Sequence, residues 1–183
     1  MKTLYIDTHM DINIALLDDF NIIREEKILD KNQNSVFLIE TIKKVVGNDS
    51  YQQIIVVNGP GSFTGVRLGV TIAKTLAFTL SVPIKTITYL ELMAINIFSN
   101  NNKIVAFNDK NGYYIGEFDN DNVLQKDYSY ISNDQYLKLQ DQSNIFTSFD
   151  NDYKKLIEYM NNKESLNPHS VNPIYVKKIE VEK

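Results

Sequence analysis

A strand-to-helix turn in the first half of the chain restricts the possible folds more strongly than any other segment. Residues 52–58 (QQIIVVN) form an apolar run, GPGSFTG follows at 59–65, and a helical pattern runs from about Phe63 to Leu80, shortly before Pro83. Glycine permits positive φ angles and close backbone approach, and Ser62 is placed to cap the helix. The segment therefore predicts a buried strand joined by a tight turn to a long helix, a unit typical of α/β folds.

The flanking patterns extend this unit into a longer order of elements. Residues 2–29 contain three short strand patterns, and the apolar positions of residues 36–46 fall at helical spacing. A strand at 83–88 and an apolar helix at 89–98 follow the long helix. This order of elements is that of a ribonuclease-H-like lobe, the building block of actin-like folds. The alternation of strands and helices by itself indicates only an α/β protein.

Three consecutive asparagines at 100–102 predict a lobe boundary. Beyond them, KIVAFND, GYYIGEF and VLQKDYSYI read as a second three-strand meander, and IYVKKIEV at 174–181 reads as a further strand. We therefore expect an internal duplication, with a first lobe over residues 1–100 and an abbreviated second lobe over 101–183.

Charge and composition narrow the classes of function. The net charge of −4 argues against a protein that grips nucleic acid by itself, because phosphate binding requires clustered lysine and arginine. The chain has no cysteine, which excludes disulfides and thiolate metal sites. Arg67 and Lys74 interrupt the long apolar run at 66–84 and argue against a membrane span, and the N-terminus is not a signal peptide. These features favour a cytoplasmic protein.

The glycine-rich loop does not match established phosphate-binding patterns. A Walker loop requires Lys-Ser/Thr after its last glycine, whereas Gly65 is followed by Val66-Arg67, and the glycine spacing of a dinucleotide-binding loop is also absent. The free backbone amides at the start of the helix could still bind an anion. The loop therefore has two interpretations, a turn that only joins strand to helix and an anion-binding site. Ser62 lacks the Gly-x-Ser-x-Gly context of a nucleophile, and capping accounts for it better.

The segment GPGSFTGVRLGVTIAKTLAF, followed by VPIKTITYLELMA, resembles the TsaB family of bacterial tRNA threonylcarbamoyladenosine biosynthesis. The resemblance extends to LYIDTHMDINIALLDD at the start, to IVAFNDKNGYYIGEF in the second lobe and to NPIYVKK near the end. It implies the actin-like, sugar-kinase and Hsp70 (ASKHA) fold. It also implies a non-catalytic scaffold that binds a TsaD-like subunit and, with a TsaE-like ATPase, supports threonylcarbamoyl transfer to the adenosine beside the anticodon.

The same resemblance bears on cofactors and partners. TsaD-type proteins hold a metal through His-x-x-x-His, and Tyr89 and Met93 stand at those two places here. Neither side chain supplies a neutral imidazole nitrogen, so we expect no metal and no cofactor of the chain's own, with ATP and metal held by partners. The resemblance further implies indirect contact with tRNA and the capacity to form a homodimer. A self-associating module without the pathway is a third possibility.

The competing hypothesis is an actin-like nucleotide-binding enzyme, either an ATPase or kinase or a glycopeptidase-like protein. Asp7 ends the first strand, where actin-like folds place the carboxylate that organises Mg²⁺ and phosphate. On this hypothesis the nucleotide contacts are Asp7, Thr8, Gly59 and Gly61. The alternative for Asp7 is a solvated carboxylate in a turn, and His9 replaces the serine found in the family.

Small residues recur at every fourth position of the long helix, and such a stripe lets another backbone approach closely. Internal packing explains part of this pattern. Because the resemblance implies partner binding through helices of the first lobe, we predict that the stripe and its neighbours form the partner interface. Arg67 is either a clamp for a partner carboxylate or an exposed side chain in the first turn of the helix. The predicted interface residues are Phe37, Leu38, Ile42, Gly65, Arg67, Gly69, Ala73 and Ala77.

Overall fold

The structure, a computed structural model, describes residues 1–29, 35–140 and 144–177. This part of the chain divides into two units by its internal contacts. The first unit contains residues 1–89 and 152–174, and the second contains residues 90–151 and the segment from 175 onward. The division differs from the lobes expected at 1–100 and 101–183, because the chain returns to the first unit after residue 151.

The first unit is built on one mixed sheet in the order β3-β2-β1-β4-β5. The first three strands form an antiparallel meander, and the last two lie parallel to β1. This arrangement matches the order of elements predicted for a ribonuclease-H-like lobe. The strands are β1 (Lys2–Asp7), β2 (Ile12–Asp18), β3 (Asn21–Ile28), β4 (Gln53–Val57) and β5 (Ile84–Ile87).

Helices α1 (Ser35–Val46) and α2 (Phe63–Leu80) contribute to the same apolar core on the sheet. Side chains at alternate strand positions, such as Leu4 and Ile6, reach this core because successive residues of a strand face opposite sides. The end of α1 is held by Arg24, whose guanidinium donates to the carbonyls of Val45 at 2.6 Å and Val46 at 2.8 Å. One of the two arginines in the chain therefore serves as a helix cap.

The long helix begins and ends as its sequence predicts. The hydroxyl of Ser62 accepts a hydrogen bond from the backbone of Gly65 at 3.3 Å, which confirms the expected cap. After the last turn, Ser81 adopts a left-handed conformation with φ of 54°, and Pro83 follows two residues later. The predicted bounds of this helix are confirmed.

The second unit repeats the pattern in shorter form. Its sheet has the order β8-β7-β6-β9, again an antiparallel meander with one parallel strand beside the first strand. Only a five-residue helix, α4 (Asn133–Leu137), separates the meander from the parallel strand in the described residues. The actin-like fold with an abbreviated second lobe is thus confirmed. Its strands are β6 (Lys103–Asn108), β7 (Gly112–Phe118), β8 (Ser129–Ser132) and β9 (Ile145–Phe146).

Two further helices and the C-terminal segment complete the described chain. Helix α3 covers Tyr89–Asn96 and α5 covers Tyr153–Asn161, close to the helical patterns of the sequence. A short 3-10 helix spans Pro168–Ser170. The strand predicted at 174–181 is wrong over residues 174–177, which have no strand pairing, and its remainder lies outside the described residues.

Candidate functional site

Asp7 is buried and its carboxylate is occupied by groups of the first unit. One oxygen accepts the backbone N–H of His9 at 3.0 Å and lies 2.8 Å from Nδ1 of the same residue. The other oxygen accepts the hydroxyl of Tyr5 at 3.3 Å. With 5% of its surface exposed, Asp7 is not the solvated turn carboxylate that the sequence left as an alternative. A buried carboxylate is stabilised by such hydrogen bonds in place of water.

The ring of His9 contacts both Asp7 and Tyr89. It stacks on Tyr89 with ring centroids 3.4 Å apart and planes 22° apart. Burial raises the pKa of the Tyr89 phenol far above its ordinary value, and the carboxylates of Asp7 and Asp11 raise it further. Tyr89 therefore stays neutral, and this side chain at the first histidine position of the TsaD-type motif packs against an imidazole.

The glycine-rich loop packs directly on this turn. The backbone N–H of Ser62 donates to the carbonyl of His9 at 2.6 Å, and a Cβ at Gly61 would collide with that carbonyl. Gly59 has φ of 111°, and its carbonyl accepts the N–H of Tyr89 at 2.8 Å. The peptide bond between Gly59 and Pro60 is cis. The loop glycines therefore serve close backbone contacts within the first unit.

Thr8 connects the same turn to α2. Its hydroxyl donates to the carbonyl of Gly65 at 2.8 Å, and the residue is fully buried. A Cβ added at Gly69 would overlap the Thr8 hydroxyl. The small residues of α2 thus make room for a polar side chain that rises from the end of β1.

These contacts correct the predicted interface. The small-residue stripe of α2 faces the sheet of its own unit, since small side chains allow a helix to approach a sheet closely. Leu38 and Ile42 of α1 belong to the same core. Of the eight predicted interface residues, only Phe37 and Arg67 are exposed. The six buried ones are Leu38, Ile42, Gly65, Gly69, Ala73 and Ala77.

The opposite sides of both helices expose large apolar groups. We use the name outward face for these apolar groups together with two exposed polar residues of α2. Its members are Val36, Phe37, Ile39, Phe63, Arg67, Thr71 and Phe78. Phe78 is 63% exposed, and the guanidinium of Arg67 lies 4.9 Å above the ring of Phe63. Helical spacing alone could have indicated this face, because residues 63, 67, 71 and 78 fall on one side of a helix.

The second unit has a carboxylate at the equivalent hairpin. Asp109 accepts the hydroxyl of Tyr130 at 2.5 Å and the backbone N–H of Asn111 at 2.8 Å. The ammonium of Lys177 lies 3.3 Å from the second carboxylate oxygen and 4.5 Å from the centroid of the Tyr130 ring. Partial burial raises the pKa of Asp109, but these hydrogen bonds and the lysine outweigh it and hold the pKa below its usual value. No local sequence pattern connects these three residues.

Two absences hold for the described residues, 1–29, 35–140 and 144–177. That part of the chain contains no group of three or more His, Asp or Glu side chains arranged to hold a metal ion. Within the same ranges, no helix combines the length and apolar character needed to cross a bilayer. Met93, at the second histidine position of the TsaD-type motif, is buried.

The geometry defines an α/β protein of the actin-like fold whose Asp7 turn is filled by its own side chains. A protein-family model described as "TsaD: tRNA N6-adenosine threonylcarbamoyltransferase" matches residues 38–141, more than half of the chain. The chain belongs to this family. Within it, the chain is similar to proteins named "tRNA threonylcarbamoyladenosine biosynthesis protein TsaB", as the sequence resemblance predicted.

The relative from Bacillus subtilis (strain 168) is 38% identical over 102 residues, which cover 52% of this chain and 44% of that protein. The relative from Buchnera aphidicola subsp. Schizaphis graminum is 32% identical over 103 residues, covering 51% of this chain and 49% of that protein. The matches thus span about half the length of these curated relatives or less. The solved structure of YeaZ from Pseudomonas aeruginosa is similar in fold, with a TM-score of 0.73, 17% identity and coverage of 95% of this chain and 99% of that one.

Proposed function

We propose that this protein is a non-catalytic subunit of the machinery that forms N6-threonylcarbamoyladenosine in tRNA. It binds a TsaD-type subunit and, together with a TsaE-type ATPase, supports transfer of threonylcarbamoyl from its adenylate to the adenosine beside the anticodon. The family match and the names of the TsaB relatives support the pathway. In this proposal, the transfer of threonylcarbamoyl to tRNA takes place in the cytoplasm.

The outward face of α1 and α2 carries the proposal. Its apolar members are exposed on helices whose other sides are packed in the core. Exposed apolar groups beside a charged residue, as with Phe63 beside Arg67, are typical of protein–protein interfaces, in which aromatic side chains and arginine contribute much of the affinity. Arg67 adds a fixed positive charge suited to a carboxylate of the partner.

The Asp7 turn supports a non-catalytic role. Its carboxylate is hydrogen-bonded to Tyr5 and His9, so binding Mg²⁺ or phosphate there would require these partners to give way. Ser62 acts as a helix cap. In the proposed complex, ATP and metal are held by the partners. The net charge of −4 favours indirect contact with tRNA, through the basic surface of another subunit.

A reconstitution tests the proposal. The TsaD-type and TsaE-type subunits of the same organism are incubated with tRNA, ATP and the threonylcarbamoyl adenylate, with and without this protein, and modified adenosine is measured by mass spectrometry. We expect modification to depend on this protein and to fall with Arg67→Glu. Lys138→Met, a substitution of an exposed residue in the second unit, serves as the control. Equal modification without the protein, or ATP hydrolysis by the protein alone, would contradict the proposal.

A further inference from the structure

The segment from residue 166 to residue 174, which we name the strap, makes contacts at three places on the first unit. At its start, the backbone N–H of Leu166 donates to the carbonyl of Ile84 in edge strand β5 at 2.8 Å. Within the strap, Asn167 caps the 3-10 helix, its side chain accepting the N–H of His169 at 2.9 Å. The strap is therefore ordered by its own hydrogen bonds before it reaches α2.

The strap next crosses the side of α2. The ammonium of Lys74 donates to the carbonyls of Val171 at 3.0 Å and His169 at 3.4 Å. The ring of His169 meets that of Phe78 edge-on at 5.1 Å. Val171 is 1% exposed and joins the core that packs beneath α1 and α2. These contacts connect the strap to α2, which carries four members of the outward face.

The strap ends on the glycine-rich loop. The N–H of Ile174 donates to the carbonyl of Asn58 at 2.7 Å, and the side chain of Asn58 donates to the carbonyl of Asn172 at 3.3 Å. A Cβ on Gly59 would lie 2.7 Å from the carbonyl oxygen of Ile174. The absence of a side chain at Gly59 therefore allows the strap to approach the backbone immediately before α2.

We propose that the strap fixes α2 and its preceding loop, and that it thereby holds the outward face in the conformation to which the partner binds. Hydrogen bonds and buried contacts lower the frequency of local opening, and the strap makes such contacts with the backbone at Asn58 and Gly59 and with the side of α2. The effect on docking rests on the function proposed above, whereas the effect on α2 does not.

Hydrogen exchange of the whole protein tests the first part of the proposal, that the strap fixes α2 and its preceding loop. Lys74→Met removes both bonds from the ammonium to the strap while keeping the aliphatic stem. We expect the amide of Ile174 to exchange about tenfold faster, and the amides of Ser62 and Val66 about threefold faster, since local opening governs their exchange. Lys138→Met controls for loss of a lysine charge. Asn58→Ala, which removes the bond to Asn172, provides a second variant with the same expected pattern.

The affinity for the TsaD-type subunit tests the second part of the proposal, that the strap supports partner binding. We expect Lys74→Met to weaken binding about fivefold while the urea midpoint follows that of Lys138→Met, because the strap acts on the presented surface more than on global stability. Unchanged exchange at Ile174 in both variants overturns the proposal. So does faster exchange confined to the strap, with Ser62, Val66 and the affinity unchanged. If the wild-type protein does not bind the partner, the proposed function fails, and the exchange of Ser62 and Val66 still decides whether the strap fixes α2.

Discussion

The two sides of α2 differ in composition and in what they contact. The inner side consists of glycine and alanine at every fourth position, and it is buried against the sheet and Thr8. The outer side carries Phe63, Arg67 and Phe78, all of them exposed. A stripe of small residues therefore marks the place where the helix approaches its own sheet most closely, and the larger groups on the other side are the ones available to a partner.

The largest expected effect comes from filling the inner side. Gly69→Leu places a branched side chain where even a Cβ overlaps the Thr8 hydroxyl, so we expect the free energy of unfolding to fall by about 3 kcal/mol or more. Urea unfolding followed by circular dichroism measures the change. Thr71→Leu is the matched control on the exposed side, and its stability should stay within about 0.5 kcal/mol of the wild type. Similar stability of the two variants would refute the assignment of the two sides.

The next effect concerns the outward face of α1. Phe37→Ser should weaken binding of the TsaD-type subunit about tenfold or more, because exposed aromatic residues at interfaces often contribute over 1 kcal/mol. Isothermal titration calorimetry gives the dissociation constant. Phe20→Ser is the control, since Phe20 is 44% exposed, close to the 46% of Phe37, and lies outside the outward face. Equal losses in both variants would show that α1 is not part of the docking surface.

A smaller loss of stability is expected when the Thr8 hydroxyl, which lies against the inner side of α2, is removed. Thr8→Val keeps the shape of the side chain but leaves the buried carbonyl of Gly65 without this donor, and should cost about 1 to 2 kcal/mol of stability. Thermal and urea unfolding provide the measurement, with the exposed Thr79→Val as reference. A change no larger than that of the reference would mean that the bond to Gly65 contributes nothing to the attachment of α2.

The smallest expected effect concerns the stability contributed by Asp109 in the second unit. Because the pKa of Asp109 is lower in the folded protein, its contribution to stability is present above the unfolded pKa of about 4 and is lost as the pH falls through the folded pKa. The wild type should exceed Asp109→Asn by about 0.5 to 1 kcal/mol at pH 7, as expected for a partly exposed ion pair. The difference should vanish once the pH lies below the folded-state pKa of Asp109. A difference that persists there would show that the lysine pair does not cause it.

The order of elements was predictable because each depends on local signals. The period of the apolar residues in α2, the cap at Ser62 and the stop before Pro83 are all readable from adjacent positions. The family resemblance was likewise carried by one contiguous segment around GPGSFTG.

The features that sequence reasoning missed depend on long-range contacts. The stripe of α2 was assigned to a partner because a small-residue face suits helix–helix and helix–sheet packing equally, and only the position of Thr8 decides between them. The occupied carboxylate of Asp7 depends on how the His9 ring folds back onto Tyr89. The strap joins Val171 and Lys74, almost a hundred residues apart, and no local pattern indicates such a contact.

The central claim is that the outward face of α2 binds a TsaD-type subunit. The most direct measurement is light-scattering chromatography of that subunit from the same organism with the wild-type protein and with Arg67→Glu, followed by calorimetric titration of each. We predict a mixed complex with the wild type and an affinity at least tenfold lower for the folded variant, because the substitution reverses the charge of an exposed residue on this face. Equal affinities, or no complex with the wild type, would contradict the account.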